Sequence, residues 1–198
     1  MDLQKINVKF FAVEKEPVPL TAFIDIFHSW IQATDGIYHD VADYSHMKNG
    51  PGIVLVAHDA NVHIDETGGR RGLLYDRKTP LPGSNQEKLR VALRAALENC
   101  RHLEDEPATR GKLKFSGDEV LLSINDRLLA PNTEDTFNQV RPDIEAVAQE
   151  LFGGAAFTLH RDVDGRKRFN VTVRTSHGFD VRILLENLQT RDGARAEI

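Results

Sequence analysis

The feature that most constrains the fold is the run at residues 53–65, Ile-Val-Leu-Val-Ala-His-Asp-Ala-Asn-Val-His-Ile-Asp. Its first part is apolar on both faces, which suits a strand in the middle of a sheet. Its second part alternates, with His58, Ala60, Val62 and Ile64 on one face and Asp59, Asn61, His63 and Asp65 on the other. One face of the sheet therefore leaves the core there. Glu66-Thr67-Gly68-Gly69 then turns the chain toward residues 70–77, and an antiparallel hairpin is the economical pairing, since a parallel one needs a long crossover.

Strand and helix patterns alternate along the rest of the chain. Residues 5–13 read as a first strand whose alternation slips near Phe11, the mark of a bulge. Leu20, Phe23, Ile24, Phe27, Trp30 and Ile31 fall on one helical face. Residues 37–45 read as a second strand. After the loop at residues 79–85, Ser84 or Asn85 can cap a helix with Glu87 or Lys88 in its first turn and an apolar stripe through Leu89, Leu93, Ala96, Leu97 and Cys100. Leu113 and Phe115, then Ser116-Gly117-Asp118, then Val120, Leu122 and Ile124 read as a hairpin. Asn132 or Thr133 caps a third helix through Phe137, Val140, Ile144, Val147 and Leu151, which Pro142 kinks or divides. Asp164-Gly165 marks a hairpin between residues 155–163 and 168–175. Phe179, Val181 and Ile183 alternate as a last strand, and the tail after Leu188 is polar and reads as frayed.

The resulting class is α+β, a mostly antiparallel or mixed sheet with about three packed helices. Each half resembles a ferredoxin-like arrangement, although the halves could share one continuous sheet. Residues 1–198 are expected to form a single compact domain, with Pro107 the best place for a subdivision into 1–106 and 107–198.

Composition bounds the function classes. Cys100 is the only cysteine, so neither an intrachain disulfide nor a cysteine-rich metal site can form. The start lacks the features of an export signal and no apolar run is long enough to span a membrane, so a cytoplasmic protein with no membrane partner is expected. Twenty-five Lys and Arg against 30 Asp and Glu give a formal charge of −5. Bulk attraction to nucleic acid is not expected from that balance, while a local basic patch remains compatible with it.

Four of the eight histidines lie between His39 and His63, in company with Asp40, Asp43, Asp59 and Asp65. Such side chains supply metal ligands or a general acid and base. Along a strand, however, same-face residues two apart are roughly 6.6 Å apart and four apart roughly 13 Å, so neighbours in sequence cannot simply share an ion. Two combinations pass this filter: His46 at the Gly50-Pro51-Gly52 turn with a neighbouring strand, and His63 with Asp65 beside Arg70 or Asp76. His46, His63 and Asp65 are the candidate catalytic residues. The competing reading makes His58 a core imidazole and the other polar residues the wet face of the strand.

Cations suggest a second chemistry. Gly68-Gly69-Arg70-Arg71-Gly72 joins backbone donors to two guanidinium groups, and Arg90 and Arg94 lie one turn apart on the second helix. If helix and hairpin met on one surface, Arg70, Arg71, Arg90 and Arg94 would form a binding site for a small anion. His160-Arg161-Asp162 and His177-Gly178-Phe179-Asp180 interrupt the last strands and could line a pocket with Arg174. Cys100 belongs to an apolar stripe and reads as core. Surplus aromatics on the first helix, or open sheet edges, favour self-association.

The expected function is a binding or interaction protein, self-associating and recognising a small anionic ligand. The alternative is a metal-assisted hydrolase or acid–base enzyme using the histidine and aspartate cluster. No motif specifies a cofactor.

Overall fold

The computed structural model describes residues 1–194. The chain runs β1 (Ile6–Glu14), α1 (Leu20–Ala33), β2 (Tyr38–Tyr44), β3 (Gly52–Ala57), β4 (Ala60–Asp65), β5 (Gly72–Arg77), α2 (Asn85–Asp105), β6 (Leu113–Ile124), α3 (Glu134–Leu151), β7 (Phe157–Arg161), β8 (Phe169–Thr175) and α4 (Val181–Ala194). The strands form one eight-stranded sheet in the order β2-β3-β4-β5-β1-β6-β8-β7. Every neighbouring pair is antiparallel, so the fold is α+β with an antiparallel sheet.

Both halves of the chain follow one plan. A strand leads into a helix, and a meander then returns to pair its last strand with the first: β5 with β1, and β8 with β6. A second helix closes each half. The halves meet where β1 pairs with β6, so the sheet is continuous across Pro107.

Alternation along the strands sends one set of side chains to the helices. Ile6, Val8 and Phe10 of β1, Leu73 and Tyr75 of β5, and Val120, Leu122 and Ile124 of β6 join one core with Phe27 of α1, Leu93 of α2, Val140 of α3 and Leu184 of α4. All four helices thus cover the same side of the sheet, and the other side stays open. Ser84 caps α2 in a reciprocal capping box with Glu87, and Thr133 caps α3. These caps satisfy first-turn amides that would otherwise lack acceptors.

Several sequence expectations are corrected. Residues 53–65 are two strands, β3 and β4, reversed at His58 and Asp59, with Ile53 opposite Ile64 and Leu55 opposite Val62. The turn shifts the parity of the inward positions from odd to even, so the error lay in the missing reversal; β3 itself is apolar on both faces, with Ile53, Val54 and Leu55 all buried. Residues 113–124 are one strand: four residues of β6 stand opposite Phe11 where the β1–β6 register shifts, so the Ser-Gly-Asp segment is a bulge and not a hairpin turn. Gly117 is needed there, because a Cβ would collide with the Phe179 carbonyl oxygen.

Residues 181–194 are helical, with Val181, Leu184, Leu185 and Leu188 buried at helical spacing and Ile183 exposed. Among the described residues there are therefore four helices where about three were expected, and α4 occupies much of the supposed frayed tail. Residues 195–198 of that tail lie outside the described residues. Pro142 stays within α3. It sits on the exposed face, where water can reach the carbonyl it leaves unpaired.

Phe23, Phe27 and Trp30 are buried, so α1 has no surplus aromatic face. β2 and β7 remain the edges of the sheet. Among the described residues no helix is long and apolar enough to cross a membrane.

Candidate ligand-binding face of the sheet

Outward-facing side chains of β1, β4, β5, β6, β7 and β8, with the adjoining turns, line a groove of about 1060 Å³ on the open side. Strand register arranges its floor in rows. One row crosses the sheet as His63, Leu74, Lys9, Leu121, Thr172 and His160. The next runs Asp76, Asn7, Ser123, Asn170.

At one end of the groove Arg70 grips Glu119 with two hydrogen bonds, 2.9 and 3.0 Å, while its guanidinium lies 3.7 Å from the centre of the Phe11 ring. Arg174 donates to the same carboxylate at 3.1 Å. The Arg70 hydrogen bonds hold the Glu119 carboxyl below its usual range, and Glu119 in turn raises the Arg70 guanidinium. Two cations thus share one anion. At the opposite end lie Arg127 and Arg168, with Lys167 engaged to Asp162 at 2.8 Å. Arg127 donates to the Arg166 carbonyl at 2.7 Å and so ties the β6–α3 loop to the β7–β8 turn.

Beneath the groove is a buried ion pair. Lys9 Nζ donates to Asp65 Oδ2 at 2.5 Å and to the Arg70 carbonyl at 2.7 Å, and Asp65 Oδ1 accepts from Thr67 Oγ1 at 2.7 Å. Lys9 therefore fixes the turn that presents Arg70. Beside it, His63 Nε2 is 3.9 Å from Asp76 Oδ2, and both ring nitrogens are buried without a hydrogen-bond partner. Burial is the main influence on both groups. It pushes the His63 imidazole below its ordinary value and raises the Asp76 carboxyl, against the opposing pull each exerts on the other. Arg168 is near enough for its charge to lower both. With its amide nitrogen turned toward β5, Asn7 donates to Asp76 Oδ1 at 2.8 Å.

The structure brings some sequence candidates together and separates others. His63, Asp65 and Arg70 line the groove. His46 is exposed in the β2–β3 turn, in ring contact with Tyr44 and outside the groove lining, so the three catalytic candidates do not form one cluster. Among the described residues no three His, Cys, Asp or Glu side chains are placed to hold a metal ion.

The four arginines also diverge. Consecutive residues of an extended chain point opposite ways, so Arg71 leaves the groove and binds Glu14, Glu66 and the Val18 carbonyl. α2 lies on the helical side of the sheet, where Arg90 pairs with Glu150 and Arg94 reaches the Leu188 carbonyl. Of the C-terminal candidates, His160, Asp162 and Arg174 line the groove, whereas Arg161 and the residues 177–180 do not.

Sequence reasoning missed Lys9, Glu119, Arg127 and Arg168. A usable signal was present in the polar residues at alternate positions, Asn7 and Lys9 on β1 and Arg168, Asn170, Thr172 and Arg174 along β8. Period-two polarity marks a face turned from the core, but only strand order shows that these faces adjoin.

Comparison with protein-family models, with curated proteins and with solved structures finds no match. The class the fold and groove define is an α+β protein with an open-faced antiparallel sheet.

Proposed function

We propose that this is a binding protein that holds an anionic ligand, bearing phosphate or carboxylate, on the open face of its sheet. One observation carries the reading. In a chain of formal charge −5, the groove is lined by seven Arg and Lys against four Asp and Glu. The lining carboxylates are engaged or sequestered: Asp65 by Lys9, Glu119 by Arg70 and Arg174, Asp162 by Lys167, and Asp76 beside His63. The excess positive charge is concave and bordered by low-dielectric protein, which focuses the field on an incoming anion. Guanidinium groups are suited to it, because their fork geometry matches phosphate and carboxylate oxygens.

A thermal-shift and calorimetric titration with inorganic pyrophosphate and with citrate tests this. Saturable binding that weakens with added salt is expected. Substituting Arg127→Ala and Arg168→Ala together should reduce affinity by at least about tenfold, the loss of one or two charge-assisted contacts. Absence of stabilisation by every phosphate and carboxylate compound would remove the proposal.

A second reading, acid–base chemistry at His63, is favoured by one feature: an imidazole and a carboxyl side by side with pKa values driven in opposite directions by burial. Self-association, by strand addition, is supported by the open edges β2 and β7. A buried lone thiol at Cys100 suits a reducing cytoplasm.

A further inference from the structure

Charge is not spread evenly over the groove. One positive end is the Arg70, Glu119 and Arg174 cluster, where two guanidinium groups share a single carboxylate. The other is formed by Arg127 and Arg168, both exposed. Arg168 and Arg174 face the same side of β8, six residues apart, which puts their Cα atoms roughly 20 Å from one another at the rise of a strand. Arg70 lies beside Arg174 through Glu119. At the other end Arg166 and Lys167 are paired with Asp164 and Asp162, which leaves Arg127 and Arg168 as the two guanidinium groups for a ligand there.

The floor between the ends has a different character. Ser123, Asn170 and Thr172 offer neutral hydrogen-bonding groups, with Leu74 and Leu121 alongside. The central ammonium, Lys9, is already neutralised by Asp65 and is 3% exposed. Asp76 and His63 add no net attraction for an anion there. A ligand with all its charge in one place would engage only one of these two guanidinium pairs. A ligand with charge spread through its middle would set anionic groups over Asp76.

We infer that the groove takes an elongated ligand with an anionic group at each end and an uncharged hydrogen-bonding middle, the two ends being held by Arg127 with Arg168 and by Arg174 with Arg70. This rests on the anionic-ligand reading and adds its length and charge pattern. Once the first end is bound, the second binds at the effective concentration set by the spacer, so affinity depends on length and passes through an optimum.

The probes are ethyl phosphate and a series of oligo(ethylene glycol) chains phosphorylated at both ends, identical in charge and differing only in span. Calorimetry on the full chain should find two ethyl phosphate sites per chain. A bisphosphate long enough to bridge the ends should bind once, at least about tenfold more tightly than ethyl phosphate, and shorter members should show no such gain. Arg174→Ala, an exposed position, should remove one ethyl phosphate site and the length optimum together, with an unchanged circular dichroism spectrum. Affinity independent of spacer length, or an optimum that survives Arg174→Ala, overturns the inference while leaving anion binding standing. No binding by any member overturns the anionic-ligand reading and the inference with it.

Discussion

Replacing Lys9 with Met removes the ammonium from the ion pair beneath the groove. The side chains of Lys9 and Asp65 are 3% and 4% exposed, so water cannot take over the lost contacts. The substitution leaves the Asp65 carboxylate buried with the Thr67 hydroxyl as its remaining side-chain donor, and it uncaps the Arg70 carbonyl. Breaking a buried pair in this way costs about 3–5 kcal/mol. At about 2–4 °C per kcal/mol for a chain of this length, Tm should fall by roughly 6–20 °C. Urea unfolding followed by circular dichroism and Trp30 fluorescence gives the free energy directly. The double substitution Lys9→Met, Asp65→Leu removes both charges and should recover to within about 1 kcal/mol of the parent, because the desolvation cost goes with them. Anion binding should still weaken in the double variant, since Lys9 no longer anchors the turn bearing Arg70. A loss below about 1 kcal/mol for Lys9→Met, or a double variant as unstable as the single, refutes the reasoning.

Three further outcomes can be checked on the same protein. Burial holds His63 below its ordinary 6.5, so the unfolded chain binds this proton more readily and the stability from a neutral His63 is complete above pH 6.5 and declines as pH falls through that value. His63→Gln should flatten the fall in Tm between about pH 7.5 and 5.5, and equal slopes in both proteins would contradict the assignment. Asp76 acts in the opposite sense: its raised carboxyl contributes stability at low pH that is lost as pH rises through its folded value. Burial, with a smaller effect of the Glu104 charge, pushes the Cys100 thiol well up, so a disulfide reagent should label it only after denaturant is added; rapid labelling of the native protein would show that α2 opens.

Legibility in the sequence followed the range of the interactions involved. The stripes of α1, α2 and α3 were readable, and each cap was narrowed to one of two neighbours, Ser84 or Asn85 and Asn132 or Thr133, because these features depend on residues three or four apart. The slip near Phe11 was likewise a real register shift. Errors arose where two local patterns coincide. Val181 and Ile183 alternate as a strand would, yet Leu184, Leu185 and Leu188 complete a helical face that packs into the core. At His58 and Asp59 a two-residue reversal keeps the inward face apolar while exchanging odd for even positions, and a one-strand reading shows no break.

The sequence by itself determined the α+β class, the placement of most elements, the core burial of Cys100 and the polar outward residues of β4, including His63 and Asp65. Tertiary structure decided which charges meet. Arg70 and Arg71 are neighbours in the chain but part to opposite sides of a strand, while Arg70 and Glu119, 49 residues apart, join across the open face. The physical reason is that side-chain direction follows from local backbone geometry, whereas convergence depends on the order in which β5, β1, β6 and β8 are laid side by side, and that order is chosen by burial of the whole apolar face.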